Sequence, residues 1–534
     1  MAALIVLAMV VPTGCSSRTD DGHKQSEAST TSLSSSENES GHDYAAGCPE
    51  SSSPEVVSTV AIGEVVWSIP CYLNEYSSLI SRDLNGDSVD DLIINASVDG
   101  PLKGQPSLVA LNGVDGTVLW ASTEAIIAVT VPLGVDLNGD GIDDLVVGGR
   151  GLPESDRPLV AVSGKDGSTI WRIEATKTSW QNVYTPQSLG DVDGDGVPDI
   201  VIATGGDHIR EAMEPPKVAG RIVAMSGSDG HVLGVLSAPD GQEIYSSPVL
   251  IPDGRGDTVV FGTGGEYFSG SLWRIPVRSL LKQQKKDFVK LIPGGRSSFI
   301  APVSIGDVEG NGGLTGAVVQ TDGTVHLIDL NSAGSSDVKW TSHEIRDEVE
   351  HRAGNRVLTG LAAPALGQLD DDAALEIVVQ YVVTEKSARD VGQFQDTGMI
   401  LAVYDGLTGE VEQIHEDNKV DTFLSPLVVE RSGEVQVLCA CVPSASGDRA
   451  ELAFWRPLTG VFEPLGLRPS RAATPSFAGS AEAGFRLNVG LNAAPGSTEG
   501  GSTMPYVAAV ALDIDDATWG GYMGTAHTGW IRQP

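Results

Sequence analysis

Positive charge is what this sequence has least of: 34 Lys and Arg stand against 71 Asp and Glu, leaving a net charge of -37. Such a chain repels phosphate backbones and anionic lipid surfaces, which excludes nucleic acid as a partner and leaves a membrane reachable only through an anchor. Long helical patterns are scarce as well, while 64 Gly and 29 Pro punctuate short apolar runs. That composition reads as an all-β chain of many short strands joined by turns. No GxSxG elbow follows a buried strand, and the glycine-rich ATGGD and GTGGE lead into no helix with phosphate-loop or dinucleotide-loop spacing. Serine-hydrolase and nucleotide chemistry therefore have no carrier here. At 534 residues the chain exceeds one usual core, leaving several domains or one large repeat architecture.

Cysteine is scarce too, with five in all. The first lies in MAALIVLAMVVPTGC, an apolar run too short for a spanning helix, which reads as the core of a signal peptide closing on Thr13, Gly14 and Cys15. The Gly-Cys junction resembles a bacterial lipoprotein lipobox, which implies a lipidated Cys15 and a membrane-anchored, extracytoplasmic protein. Pro12 departs from that pattern, and no Lys or Arg precedes the run. A cleaved secretory signal is the alternative. Residues 16–53 are rich in Ser, Glu and Asp with almost no large apolar side chain, so they read as a flexible stalk. The folded part is then 54–534. Cys48, Cys71, Cys439 and Cys441 remain for pairing, and three connectivities stay open. In VQVLCACV a bond between Cys439 and Cys441 would strain an extended strand, so each is expected to meet an N-terminal cysteine if that segment docks there.

What is present is acidic and periodic. DLNGDSVDD from Asp83, DLNGDGIDD from Asp136 and DVDGDGVPD from Asp191 are near-copies of one nonapeptide. Their oxygen-bearing positions 1, 3, 5 and 9 are Asp83, Asn85, Asp87 and Asp91; Asp136, Asn138, Asp140 and Asp144; and Asp191, Asp193, Asp195 and Asp199. Position 7 (Val89, Ile142, Val197) adds a main-chain carbonyl. A hard cation taking six to eight oxygens at about 2.3–2.6 Å fits this set, so Ca2+ is the expected ligand. An EF-hand is excluded, because position 12 is Ile94, Val147 or Ile202 where a Glu is needed, and a strand-like run follows where a helix is needed.

Weaker relatives recur every 50–60 residues or so. GDVEGNGG holds Asp307, Glu309 and Asn311; GQLDDDAALE holds Gln368, Asp370, Asp372 and Glu376; the copies near Asp253, Arg431 and Ser480 have lost the ligands. Eight repeats result, three intact for calcium. Between them runs a second motif, ALNGVDGTVLW ending at Trp120 and AVSGKDGSTIW ending at Trp171, with softened copies from Ala224, Val403 and Phe454. It reads as a hairpin whose Trp packs over the neighbouring repeat.

The acidic half resembles FG-GAP (VCBS, integrin-α-type) repeats, and the AxSxxDGxxxW half resembles the tryptophan-docking repeat of quinoprotein-like propellers. The resemblance implies a β-propeller of eight four-stranded blades, or seven if the last repeat only closes the ring. TVAIGEVVW, with Gly63 and Trp67 at the motif spacing, is a half-repeat, and PYVAAVALDIDDATW lacks the other half. The N-terminal strand is thus expected to complete the last blade. WGGYMGTAHTGW from Trp519 resembles a signature that accompanies such repeats, and His527 within it reads as a structural contact. The expected function is a monomeric, surface-tethered, calcium-bearing module that binds an extracellular protein or polysaccharide. Two catalytic alternatives come with the resemblance. A polysaccharide lyase would use the loops from Gly205 and Gly262, with Asp207, His208, Arg210, Glu211, Glu266 and Tyr267; a quinone-dependent dehydrogenase would need adjacent half-cystines where this chain has CAC.

Overall fold

The computed structural model describes Cys48 and, with short interruptions between strands, residues 62–531. The signal segment, Cys15, most of the stalk, and residues 206–217 and 266–268 of the two loops weighed for lyase chemistry lie outside the described residues. The chain folds as eight antiparallel sheets taken in chain order, six of four strands and two of five. They are the blades of a β-propeller, numbered here from the first complete repeat.

Blades 1 to 3 share one pattern. A short strand, such as Ile80–Arg82 in blade 1 or Leu133–Val135 in blade 2, enters the acidic nonapeptide, which returns as a fully buried strand (Asp91–Asn95, Asp144–Gly148). Two-sided burial explains why DLIIN and DLVVG are continuous apolar runs and not alternating ones. The DG hairpin then leads to a half-exposed outer strand, Val118–Ser122 or Thr169–Ile173.

Trp67, Trp120, Trp171 and Trp340 join one blade to the next. Each indole N–H donates to a carbonyl of the following hairpin, at Gly113, Gly164, Gly227 and Gly406, over 2.7–2.9 Å. The ring lies against a second glycine of that hairpin. A Cβ on Gly167 would stand 2.6 Å from Trp120. Trp340 escapes the sequence pattern because Gly334 stands six positions before it, where Gly116 and Gly167 stand four before Trp120 and Trp171. Blade 3 has Gly234 at the tryptophan position, and there the short helix Val277–Leu281 of blade 4 packs instead, with Leu280 O only 2.6 Å from where a Cβ would stand.

Blade 8 is closed as expected. The strand Glu64–Pro70 pairs antiparallel with Tyr506–Leu512, from Glu64 opposite Ala511 to Pro70 opposite Tyr506. Blade 8 meets blade 1 through the bridge of Ser78 to Thr474 and the bond from Asn488 Nδ2 to Ser81 Oγ. The closing strand is fixed at its far end by a Cys48–Cys71 disulfide. The second disulfide corrects the sequence expectation: Cys439 bonds Cys441, not an N-terminal cysteine. A register shift between Ala440 and Val442 lets the strand depart from regular extension, and the two Cα atoms stand 5.2 Å apart.

The C-terminal segment takes a course not legible in the sequence. Asp516–Trp519 adds a strand to the inner edge of blade 7, against Leu427–Arg431. Beyond it, Gly520 O accepts from Phe477 N of blade 8 and Tyr522 Oη bonds Ser247 Oγ before blade 4. His527 O accepts from Gln187 of blade 3, Trp530 Nε1 donates to Leu250 O of blade 4, and Ile531 N donates to Ile305 O of blade 5. Touching the inner strands of five blades, this segment fills the centre of the ring. His527 is buried there and its Nδ1–H donates to Tyr522 O, a structural contact.

Candidate metal centre

The three nonapeptides sit between the first and second strands of blades 1, 2 and 3. Their backbones fold around their own side chains. In blade 1, Asp83 accepts from Gly86 N and Ser88 N, Asn85 Oδ1 from Asp87 N, and Asp87 from Val89 N. Blade 2 repeats this set with Asp136, Asn138 and Asp140, and blade 3 with Asp191, Asp193 and Asp195. Successive Asx turns thus point positions 1, 3 and 5 inward. Position 6 must turn left-handed to allow it: Gly141 has φ 86° and Gly196 φ 90°, whereas Ser88 adopts φ 68° with a side chain.

In blade 3 the carboxylates of Asp191, Asp193 and Asp195, all exposed, bring one oxygen each to within 4.8 Å of one another. Asp199, position 9, is placed differently. It is fully buried; one oxygen accepts from Val192 N and Asp193 N, the other from Gly227 N. Asp91 and Asp144 are buried in the same way, bonding Leu84 and Gly113, and Leu137, Asn138 and Gly164. Burial raises all three carboxyls above the ordinary Asp range, against the backbone donors that stabilise their charge. Position 9 therefore ties the loop to the next hairpin, whatever else it does. Val89, Ile142 and Val197 lie half-buried at position 7.

Asp144→Ala is accordingly expected to destabilise the protein by roughly 2 kcal/mol even in chelator, because buried N–H groups lose their acceptor. Exposed Asp140→Ala should change stability in chelator by less than about 0.5 kcal/mol. Urea unfolding of both variants without divalent cations checks the contrast.

Blade 6 holds a second acidic cluster that the sequence left undecided. Asp370, Asp372 and Glu376 bring one oxygen each within 4.8 Å. Glu376 takes the place of the position-9 Asp; one oxygen accepts from Leu369 N while Oε1 is buried without a partner, and burial lifts its carboxyl to about 8. Gln368 Nε2 donates to Asp370 O and Asp372 O of the same loop. In blade 5, Asp307 accepts from Asn311 N and Gly312 N, and Glu309 pairs with Lys339 at 3.1 Å. That lysine neutralises one of the few acids in the loop. The blade 4 loop around Asp253 lies outside the described residues.

A family model described as an FG-GAP-like repeat matches residues 136–202, from the blade 2 loop into the buried strand of blade 3. Protein FAM234B of Gallus gallus is 31% identical over 160 residues, 28% of this chain and 24% of that protein. Protein FAM234A of Homo sapiens is 28% identical over 178 residues, 30% of this chain and 29% of that protein. The match thus spans under a third of either relative's own length. Both are animal proteins, whereas the lipobox resemblance takes a bacterial one. The quinohemoprotein alcohol dehydrogenase of Comamonas testosteroni superposes with a TM-score of 0.52 at 12% identity, over 84% of this chain and 76% of that one. At that identity the likeness is one of fold, and it agrees with the propeller built above.

Proposed function

We propose that this FG-GAP-repeat propeller is a binding module whose blades 1 to 3 are stapled by Ca2+ and which is presented outside the cell on a lipidated or secreted chain. The convergence of Asp191, Asp193 and Asp195 carries the cation reading. Their oxygens crowd together in solvent although no Lys or Arg among the described residues is bonded to them, and backbone N–H groups hold them so. The donor set is all hard oxygen, which suits calcium over softer metals. Asp83, Asn85 and Asp87, and Asp136, Asn138 and Asp140, would hold the equivalent ions. A bound cation offsets carboxylate repulsion and fixes the turn from the inner strand to the second; it performs no chemistry. The partner reading, an extracellular protein or polysaccharide, rests on the rigid ring and on an acidic surface that repels polyanions.

A ligand that binds only the folded state stabilises it in proportion to the logarithm of its concentration over Kd. Millimolar calcium is therefore expected to raise the melting temperature by several degrees over chelator-treated protein. Removing position 3 from all three loops at once, by Asn85→Ala, Asn138→Ala and Asp193→Ala, is expected to abolish the rise. An identical melting curve in calcium and in excess chelator would sink the cation reading.

A further inference from the structure

Where the C-terminal segment meets blades 1 to 4, it leaves a cavity of about 350 Å³. Arg82, Leu133, Gln187, Leu250, His527 and Trp530 line it. This is the range of a small-molecule pocket, and its wall combines apolar surface with a few directed polar groups. Arg82 closes the inner strand of blade 1 and reaches over blade 2, where a Cβ on Gly134 would stand 2.8 Å from its Nε. Its Nε pairs with Asp143 at 3.2 Å and Nη1 donates to Ser81 O, while Nη2 has no partner among the described residues.

The other polar groups face the opposite way electrically. His527 gives its Nδ1–H to Tyr522 O, so in the neutral ring Nε2 is an acceptor; it too has no partner among the described residues, on a side chain only 6% exposed. Burial keeps that ring neutral, holding its pKa to about 4. Gln187 spends its amide N–H groups on Pro186 O and His527 O, which leaves Oε1 to accept. Trp530 is pinned by its N–H to Leu250 O, so its ring is fixed as a wall.

We infer that this cavity binds a polyhydroxylated monocarboxylate, of which a hexuronate ring is the simplest case. The carboxylate meets Arg82 Nη2, hydroxyls donate to His527 Nε2 and Gln187 Oε1, and the apolar ring face lies on Trp530. A phosphate dianion fits poorly, because its single hydroxyl cannot serve both acceptors and its second charge is turned towards Asp143. The inference gives ligand chemistry to the binding-module reading but uses none of the acidic loop oxygens at positions 1, 3 and 5. Failure of the calcium experiment therefore leaves it standing, and its own failure leaves calcium standing.

The test is calorimetric titration of the full chain with glucuronate, galacturonate, glucose and inorganic phosphate. A charge-assisted hydrogen bond is worth about 1.5–3 kcal/mol, so a uronate should bind about ten- to a hundredfold more tightly than glucose. Phosphate should not compete. Arg82→Gln should erase the preference for uronate over glucose, and Asp143→Asn, which frees the guanidinium, should tighten uronate several-fold. A thermal melt of each variant confirms folding, and the uronate-to-glucose ratio of the unaltered protein stands without any variant. Equal affinity for uronate and glucose, no uronate binding at about 20 mM, or an unchanged ratio in Arg82→Gln overturns the inference.

Discussion

Trp120→Ala is expected to lower the free energy of unfolding by about 3–5 kcal/mol, the usual cost of removing a buried indole. Trp120 is 7% exposed, its N–H is satisfied by Gly164 O at 2.7 Å, and its ring covers Gly167. The loss falls on the junction between blades 1 and 2, not within either sheet. Gly167→Ala tests the same contact from the other side. Two penalties act there: a left-handed backbone at φ +70°, and a Cβ 2.6 Å from the indole Cε3. In the Trp120→Ala background the second penalty vanishes while the first remains. The two substitutions should therefore fall short of additivity by about 1 kcal/mol or more in denaturant unfolding. Strict additivity would mean the indole does not rest on that glycine.

Acidification gives the second large effect. His326 is buried with Nδ1 on Thr341 Oγ1 and Nε2 on Gln320 Oε1, and burial lowers its pKa to about 4; His527 is held to about 4 as well. Both folded values lie below the ordinary 6.5, so as pH falls the unfolded chain takes up these protons first. Stability from each histidine is complete above about pH 6.5 and is lost as pH falls towards 4, on the order of 3 kcal/mol per residue. Glu376 acts with the opposite sign. Its carboxyl is raised to about 8, so without a cation the folded state binds that proton first, and stability rises as pH falls from about 8 towards 4.5. The net curve mixes the two. The difference between the parent and His326→Gln isolates the histidine, and that difference should shrink by about 3 kcal/mol between pH 7 and pH 4. A difference that stays constant across that range would contradict a buried, neutral His326.

The architecture was legible because a propeller writes itself into the chain once per blade. The Asp at position 9, the apolar run after it and the Gly-to-Trp spacing each mark a fixed place in a sheet, and Gly63 with Trp67 disclosed the displaced half-blade. The site was legible only in part. In blade 3 the oxygens of Asp191, Asp193 and Asp195 lie together as their spacing implies, but whether an oxygen of Asp199 faces the loop or the neighbouring hairpin depends on Gly227, 28 residues away. The cysteine pairing was missed because a strand irregularity between Ala440 and Val442 has no local signature. The cavity was missed for a different reason: Arg82, Gln187 and His527 come from three separate stretches, and only the return of the C-terminal segment to the ring's centre assembles them.

The closing strand of blade 8 also dictates an order of events. Glu64–Pro70 pairs with Tyr506–Leu512, so this strand must wait for a partner synthesised more than 400 residues after it. Blades 1 to 6 and the four consecutive strands of blade 7 can form from local hairpins, whereas this pairing closes a loop of more than 400 residues. The entropic cost of so long a loop grows only as its logarithm, but the search for it is slow. Until then Trp67 has no strand to sit in, and Gly116 of blade 1 lacks its cover. An open ring, with one unpaired sheet edge in blade 8, is thus the expected long-lived folding intermediate and the species most exposed to swapping strands with a second copy.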